Sequence, residues 1–264
     1  MWRFGDLAIW DLTIEPDQPM TRWSNESEEC MSGSTSSVAR RSFLSRLSAG
    51  LTLFVGASAT GQSAEAQAPA PRSGWQPSRH SQDDWLDQVP GKHRLIFDTT
   101  SPAGLGTSLL YANNFFIGNQ NGYELGNSDL AVVLVLRHGS TAFAYSDAMW
   151  AKYGTPLAQR TDFNDPKTKK RPTLNVYLSP AHGALLPSGG VTLDALGKRG
   201  VHFAVCQMAT RRLAGTIAEA TGGNAEAVYN ELVSNLVPNS HIVPAGIVAL
   251  SRAQERGYTL AHAG

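Results

Sequence analysis

Cys206 carries the greatest chemical potential in this chain. It is one of two cysteines among 264 residues, and the other, Cys30, lies in an N-terminal stretch that reads as separate from the fold. Cys206 closes the apolar run Val201-His202-Phe203-Ala204-Val205 and is followed by Gln207-Met208-Ala209-Thr210-Arg211-Arg212. A thiol becomes nucleophilic as the thiolate, and its pKa of about 8.5 falls beside cations or at a helix N-terminus. A strand ending on cysteine with a helix just after it supplies free backbone N–H groups and the positive end of a helix dipole. Arg211 is the arginine expected to reach back to the sulfur. His138, in Leu136-Arg137-His138-Gly139, ends a second apolar run. It is expected at the same rim, as proton carrier or cationic neighbour. The same spacing also fits a buried, inert cysteine with its arginines in solvent.

The other histidines are weaker candidates. His182 follows Ser179-Pro180-Ala181, His241 sits in Asn239-Ser240-His241, and His202 lies within its own apolar run. His138, His182, His241 and Cys206 are chemically suited to a metal. No two of them show the short spacing of a known metal motif, so no metal is assigned and the reading needs no cofactor. Gly104-Leu105-Gly106 has the look of a dinucleotide turn but lacks the third glycine and the downstream acid, and reads as the start of a helix. No G-x-S-x-G, H-E-x-x-H, Walker loop or C-x-x-C is present.

The elements that must position Cys206 follow from periodicity. Strands are expected at residues 93–99, 130–136, 174–178, 201–205, 240–243 and 258–261. Helices are expected at 104–116, 146–153, 193–200, 211–220, 225–236 and 247–256. Residues 119–127, rich in Asn and Gly, read as a loop. So do residues 165–172, which carry Lys167, Lys169, Lys170 and Arg171. Leu130 to Leu136 is apolar throughout, which fits a strand buried on both faces of a parallel sheet. The strand–helix alternation predicts a three-layer α/β sandwich with a largely parallel central sheet. In such sheets sites form at the carboxyl ends of strands, where Cys206 stands.

The N-terminus reads as targeting sequence. Arg40-Arg41 precedes an apolar run from Leu47 to Ala59, and small residues follow at 64–70. This is the order of an export signal, of the twin-arginine (Tat) kind. The run is too short and too polar to span a bilayer, so no stable membrane insertion is expected after cleavage. The resulting division is an over-extended start at 1–30, a signal peptide at 31–68, a proline-punctuated linker at 69–90 and a domain at 91–264. Within the linker, Trp75 and Trp85 are placed to tuck back onto the domain. The whole chain has a formal net charge of zero, 42% hydrophobic and 17% charged residues. From Pro69 onward it has 17 Lys and Arg against 14 Asp and Glu, which gives no electrostatic footprint for nucleic acid. One thiol in the exported part forms no internal disulfide.

Three segments together carry a family resemblance. Residues 200–212 resemble the active-cysteine segment of the DsrE/DsrF-like sulfur-relay family, which has the YchN-like fold. Val135-Leu136-Arg137-His138-Gly139 resembles its second strand and turn. Leu236-Val237-Pro238-Asn239-Ser240-His241-Ile242-Val243-Pro244-Ala245-Gly246 with Gln254-Glu255-Arg256-Gly257-Tyr258 resembles its C-terminal block. The resemblance spans roughly residues 92–262. It implies a three-layer α/β sandwich, assembly into homo-oligomers, and a cysteine that carries persulfide sulfur between a donor and an acceptor, neither of which the sequence names. Cys206 matches the family's cysteine, and His138 matches a motif position. The export signal sets this chain apart from the cytoplasmic relay members and points to the periplasm. Two other functions stay open: a non-catalytic periplasmic binding or assembly module with an inert thiol, and a His-based metal protein.

Overall fold

The computed structural model describes residue 74 and residues 76–264. The expected start, signal peptide, Cys30 and Trp75 lie outside the described residues. Among those described, no helix is long and apolar enough to cross a membrane.

Among the described residues five strands form one sheet. They are β1 (His93–Thr99), β2 (Leu130–Leu136), β3 (His202–Cys206), β4 (Ser240–Val243) and β5 (Thr259–Ala263). The order is β4-β3-β2-β1-β5 and every pairing is parallel. β2 takes the centre, and all seven of its residues are buried. The uninterrupted apolar run from Leu130 is therefore the signature of a strand covered on both faces.

The order of the strands fixes the layers. Steps from β1 to β2, β3 and β4 all move the same way across the sheet. Right-handed crossovers then place their helices on one face: α2 (Pro102–Tyr123), α3 (Asp147–Arg160), α4 (Leu193–Lys198), α5 (Gln207–Thr221) and α6 (Ala225–Ser234). The step from β4 to β5 runs back across the whole sheet. Its helix, α7 (Gly246–Gln254), lies on the opposite face with α1 (Trp85–Gln88). Side-chain alternation separates two cores. Val132, Leu134, Leu136, Phe97, Phe203 and Val205 pack towards α2–α6. Ile96, Ala131, Val133, Val135 and Ala204 pack against Leu86, Ala249, Leu250 and Ala253 on the other side. This is the expected three-layer α/β sandwich.

Several expectations are corrected. Residues 174–178 form no strand. Val176 and Tyr177 are adjacent and both buried, and Asn175 spends its amide on the carbonyls of Phe143 (2.8 Å) and Tyr145 (2.9 Å). The stretch is tied to a turn instead of to a neighbouring strand. α2 continues to Tyr123 through the Asn/Gly segment read as a loop. The residues read as linker contain α1, with Leu86 wholly buried and Val89 nearly so, so the fold begins ahead of residue 91. The helix expected from Arg211 begins at Gln207.

Candidate functional site

That early helix start decides what surrounds the thiol. Cys206 is the last residue of β3 and the N-cap of the 15-residue α5. Alternation from Ala204 turns it towards the layer of α7. It is only 7% exposed, yet it lines a cavity of about 280 Å³ with Arg137, His138, Met208, Ala209, Arg212, Ala245, Gly246 and Ile247. Neither α5 nor α7 has a side chain capping its N-terminus. Two helices thus bring uncapped first turns to one cavity, where backbone N–H groups and helix dipoles favour negative charge. Among the described residues no carboxylate lines it.

The rim after β2 is held rigidly. The Ser140 hydroxyl, fully buried, accepts the Arg137 N–H at 3.0 Å and the Thr99 hydroxyl at 2.8 Å. The Gly139 N–H donates to the Thr100 carbonyl at 2.8 Å. His138 lies between them with a left-handed φ of 57° and an exposed side chain at the cavity mouth.

Behind this rim stands an ion-pair chain. Arg137 donates from Nε to Asp98 Oδ1 at 2.6 Å and from Nη2 to Oδ2 at 2.8 Å, the bidentate form of charge-assisted pairing. His262 Nδ1 lies 2.9 Å from Asp98 Oδ2. An ionised carboxylate only accepts, so Nδ1 carries the hydrogen. Burial pushes the Asp98 carboxyl up, but the hydrogen bonds from Arg137 and His262 outweigh it and hold the group below its usual range. The hydrogen bond to Asp98 raises the Arg137 guanidinium, burial opposes this, and the nearby charge of Cys206 adds a smaller upward push.

Of the residues read from sequence, Cys206 and His138 meet at this cavity and Arg211 does not. Arg211 pairs with Glu226 at 2.9 Å and lies 4.0 Å over the Tyr229 ring, both on α6. Arg212 takes its place at the cavity, because Met208 and Arg212 are one turn apart and share a face of α5. The histidines are scattered. His182 pairs with Asp165 at 3.2 Å, and His241 with His202 at 2.9 Å under Trp85. Among the described residues no cluster of three His, Cys, Asp or Glu is placed to hold a metal. Sequence reasoning passed over Asp98, Arg137 and His262. The signal was there in Asp98, a charge directly after the apolar Leu95-Ile96-Phe97 of β1, which must find a cation nearby when buried.

The fold and cavity define a parallel α/β protein with a thiol at a helix start, facing an anion-favouring cavity. Comparisons with protein-family models, with curated proteins and with solved structures find no match.

Proposed function

We propose that the protein is an exported sulfur carrier of the DsrE/DsrF-like kind, with Cys206 holding sulfur as a persulfide. The observation that carries this reading is the thiol's position at the N-cap of α5 beside a cavity lined by Arg137, His138 and Arg212. Uncapped helix N–H groups and guanidinium groups are the donors that stabilise an anion at such a position. In the uptake step the thiolate attacks the sulfane sulfur of a donor such as thiosulfate or polysulfide. A new S–S bond forms, the donor's own S–S bond breaks, and its electron pair leaves with the donor fragment, sulfite in the case of thiosulfate. An acceptor thiolate then attacks the outer persulfide sulfur and restores the Cys206 thiolate. No external oxidant or reductant is needed. Arg137, Arg212 and the first N–H groups of α5 and α7 steady the anion throughout. Periplasmic location and homo-oligomeric assembly belong to the same proposal, from the export-like N-terminus and the family resemblance.

Incubation with thiosulfate or polysulfide, followed by intact-mass measurement, tests the reading. Wild type gains the mass of sulfur and Cys206→Ser does not. No gain on wild type, or equal gain on the variant, overturns it. The 7% exposure of Cys206 favours one second reading, a non-catalytic binding or assembly module with an inert thiol. Its mark is slow labelling of the native protein and fast labelling after denaturation, with no sulfur uptake.

A further inference from the structure

Resting on the persulfide reading, we propose that Asp98 is a positioning residue, which holds the Arg137 guanidinium at the cavity as a fixed donor for the anion on Cys206. Asp98 stands near the end of β1, and its side chain is 8% exposed. It engages only Nε and Nη2 of Arg137, so the Nη1 hydrogens and one on Nη2 remain for another acceptor. The same arginine lines the cavity with Cys206. Its stem is confined as well. A Cβ on Gly246 would lie 2.6 Å from Arg137 Cβ and 2.8 Å from Cδ, so the start of α7 closes directly over the arginine. From the other side His262 on β5 occupies Oδ2 of the carboxylate. Asp98 of β1, His262 of β5 and Arg137, the residue that follows β2, therefore form a chain ending at the thiol's cavity. The charged and titratable groups around the sulfur are Arg137 and His138 beyond β2, Arg212 on α5, and Asp98 with His262 behind Arg137. The buried hydroxyl of Tyr145 lies below, held to Thr210 at 2.9 Å.

A purely structural ion pair makes the opposite forecast. Removing the carboxylate leaves an uncompensated positive charge near Cys206. Were the field alone to matter, the thiolate would be favoured and alkylation would speed up. Were Asp98 to act by holding the donor, its loss would free the guanidinium to swing into solvent, and alkylation would slow.

The test uses the full-length protein and the pH profile of Cys206 alkylation by neutral iodoacetamide, for wild type, Asp98→Asn, Arg137→Ala and the double variant. Asp98→Asn is expected to slow alkylation at neutral pH by about tenfold, the scale of losing a hydrogen bond to a charged group, and to move the profile to higher pH. In the Arg137→Ala background Asp98→Asn is expected to add less than about twofold, because the two act as one unit. Faster alkylation in Asp98→Asn, or full additivity, overturns the proposal. If Asp98→Asn does not fold, as judged by circular dichroism, His262→Gln loosens the same carboxylate from β5 and must shift the profile in the same direction. Alkylation involves no sulfur transfer, so a failure to load sulfur with the expected alkylation pattern sinks the carrier reading alone, and a reversed alkylation pattern sinks the positioning role alone.

Discussion

Arg211 and Arg212 are neighbours in sequence, but each helical residue advances by about 100°, so they leave α5 on different faces. Arg211 points to α6 and is spent on Glu226 and Tyr229. Arg212 lines the cavity, and its side chain has no ion pair among the described residues. Arg212→Ala should slow alkylation of Cys206 by anionic iodoacetate about threefold more than by neutral iodoacetamide, a scale typical of exposed charges. Arg211→Ala should leave that ratio unchanged. A drop in the ratio for Arg211→Ala alone would reverse the assignment. The two arginines could not be told apart by spacing, because the helix start was not visible. No Ser, Thr, Asp or Asn stands at the N-cap just ahead of Gln207. The cap is the cysteine itself, and a cysteine does not announce a helix. The thiol and His138 were legible as ends of apolar runs. Asp98 signalled a need for a cation, but its partners Arg137 and His262 were not legible, since the strand pairing that brings them together joins residues far apart in the chain.

α1 joins the sheet through rings. Trp85 stacks on His241 at 4.0 Å, and His241 Nε2 lies 2.9 Å from His202 Nδ1. One hydrogen serves that contact, so protonating both rings breaks it and sets two like charges side by side. Burial lowers the pKa of His202 and, with the repulsion from His202, lowers that of His241 to about 4. The folded state thus binds these protons less readily than the unfolded chain, whose histidines titrate near 6.5. The stabilisation is whole above about pH 6.5 and is lost progressively as pH falls towards 4. Thermal unfolding midpoints should fall between pH 7 and pH 4.5, and His241→Phe should remove part of that fall while keeping the stack on Trp85. The depressed carboxylates Asp98, Asp165, Glu231 and Glu255 lose their contribution mainly below about pH 5, which leaves the upper part of this window to the histidines. A midpoint flat from pH 7 to 4.5, or an unchanged fall in His241→Phe, would refute the account. The proline-rich lead-in to α1 disguised it as a linker, although Trp85 stood out as a ring needing somewhere to pack.

At the scale of the molecule, the strand–helix alternation made the parallel sandwich legible, and the run at β2 marked its centre. Placing β5 on the far edge was beyond the sequence, because local pattern records a strand's faces and not its neighbours. That placement has a consequence for the whole sheet. Ala263 and Gly264 lie against the first turn of α2, where Gly264 O accepts from Thr100 N and Ser101 Oγ, each at 3.2 Å. Gly104 leaves the room for this approach: a Cβ there would overlap the carbonyl oxygens of Ala263 and Gly264. The opposing atoms are backbone, so no side chain can turn aside to relieve the overlap. Gly104→Ala must therefore push β5 away from β1 or lift the start of α2, at a cost of about 2 kcal/mol in the manner of overpacked cores. The effect should be graded across the sheet. β5 is an edge strand held by β1 alone, so its amides should lose hydrogen-exchange protection first, while β2 and β3, two and three strands away from it, keep theirs through their own pairings on both sides. Because His262 travels with β5, the same variant should loosen Asp98 and slow Cys206 alkylation without touching the cavity directly. Uniform loss of protection over all five strands would show global destabilisation in place of a released edge, and unchanged protection in β5 would show that the end of the chain does not depend on the glycine.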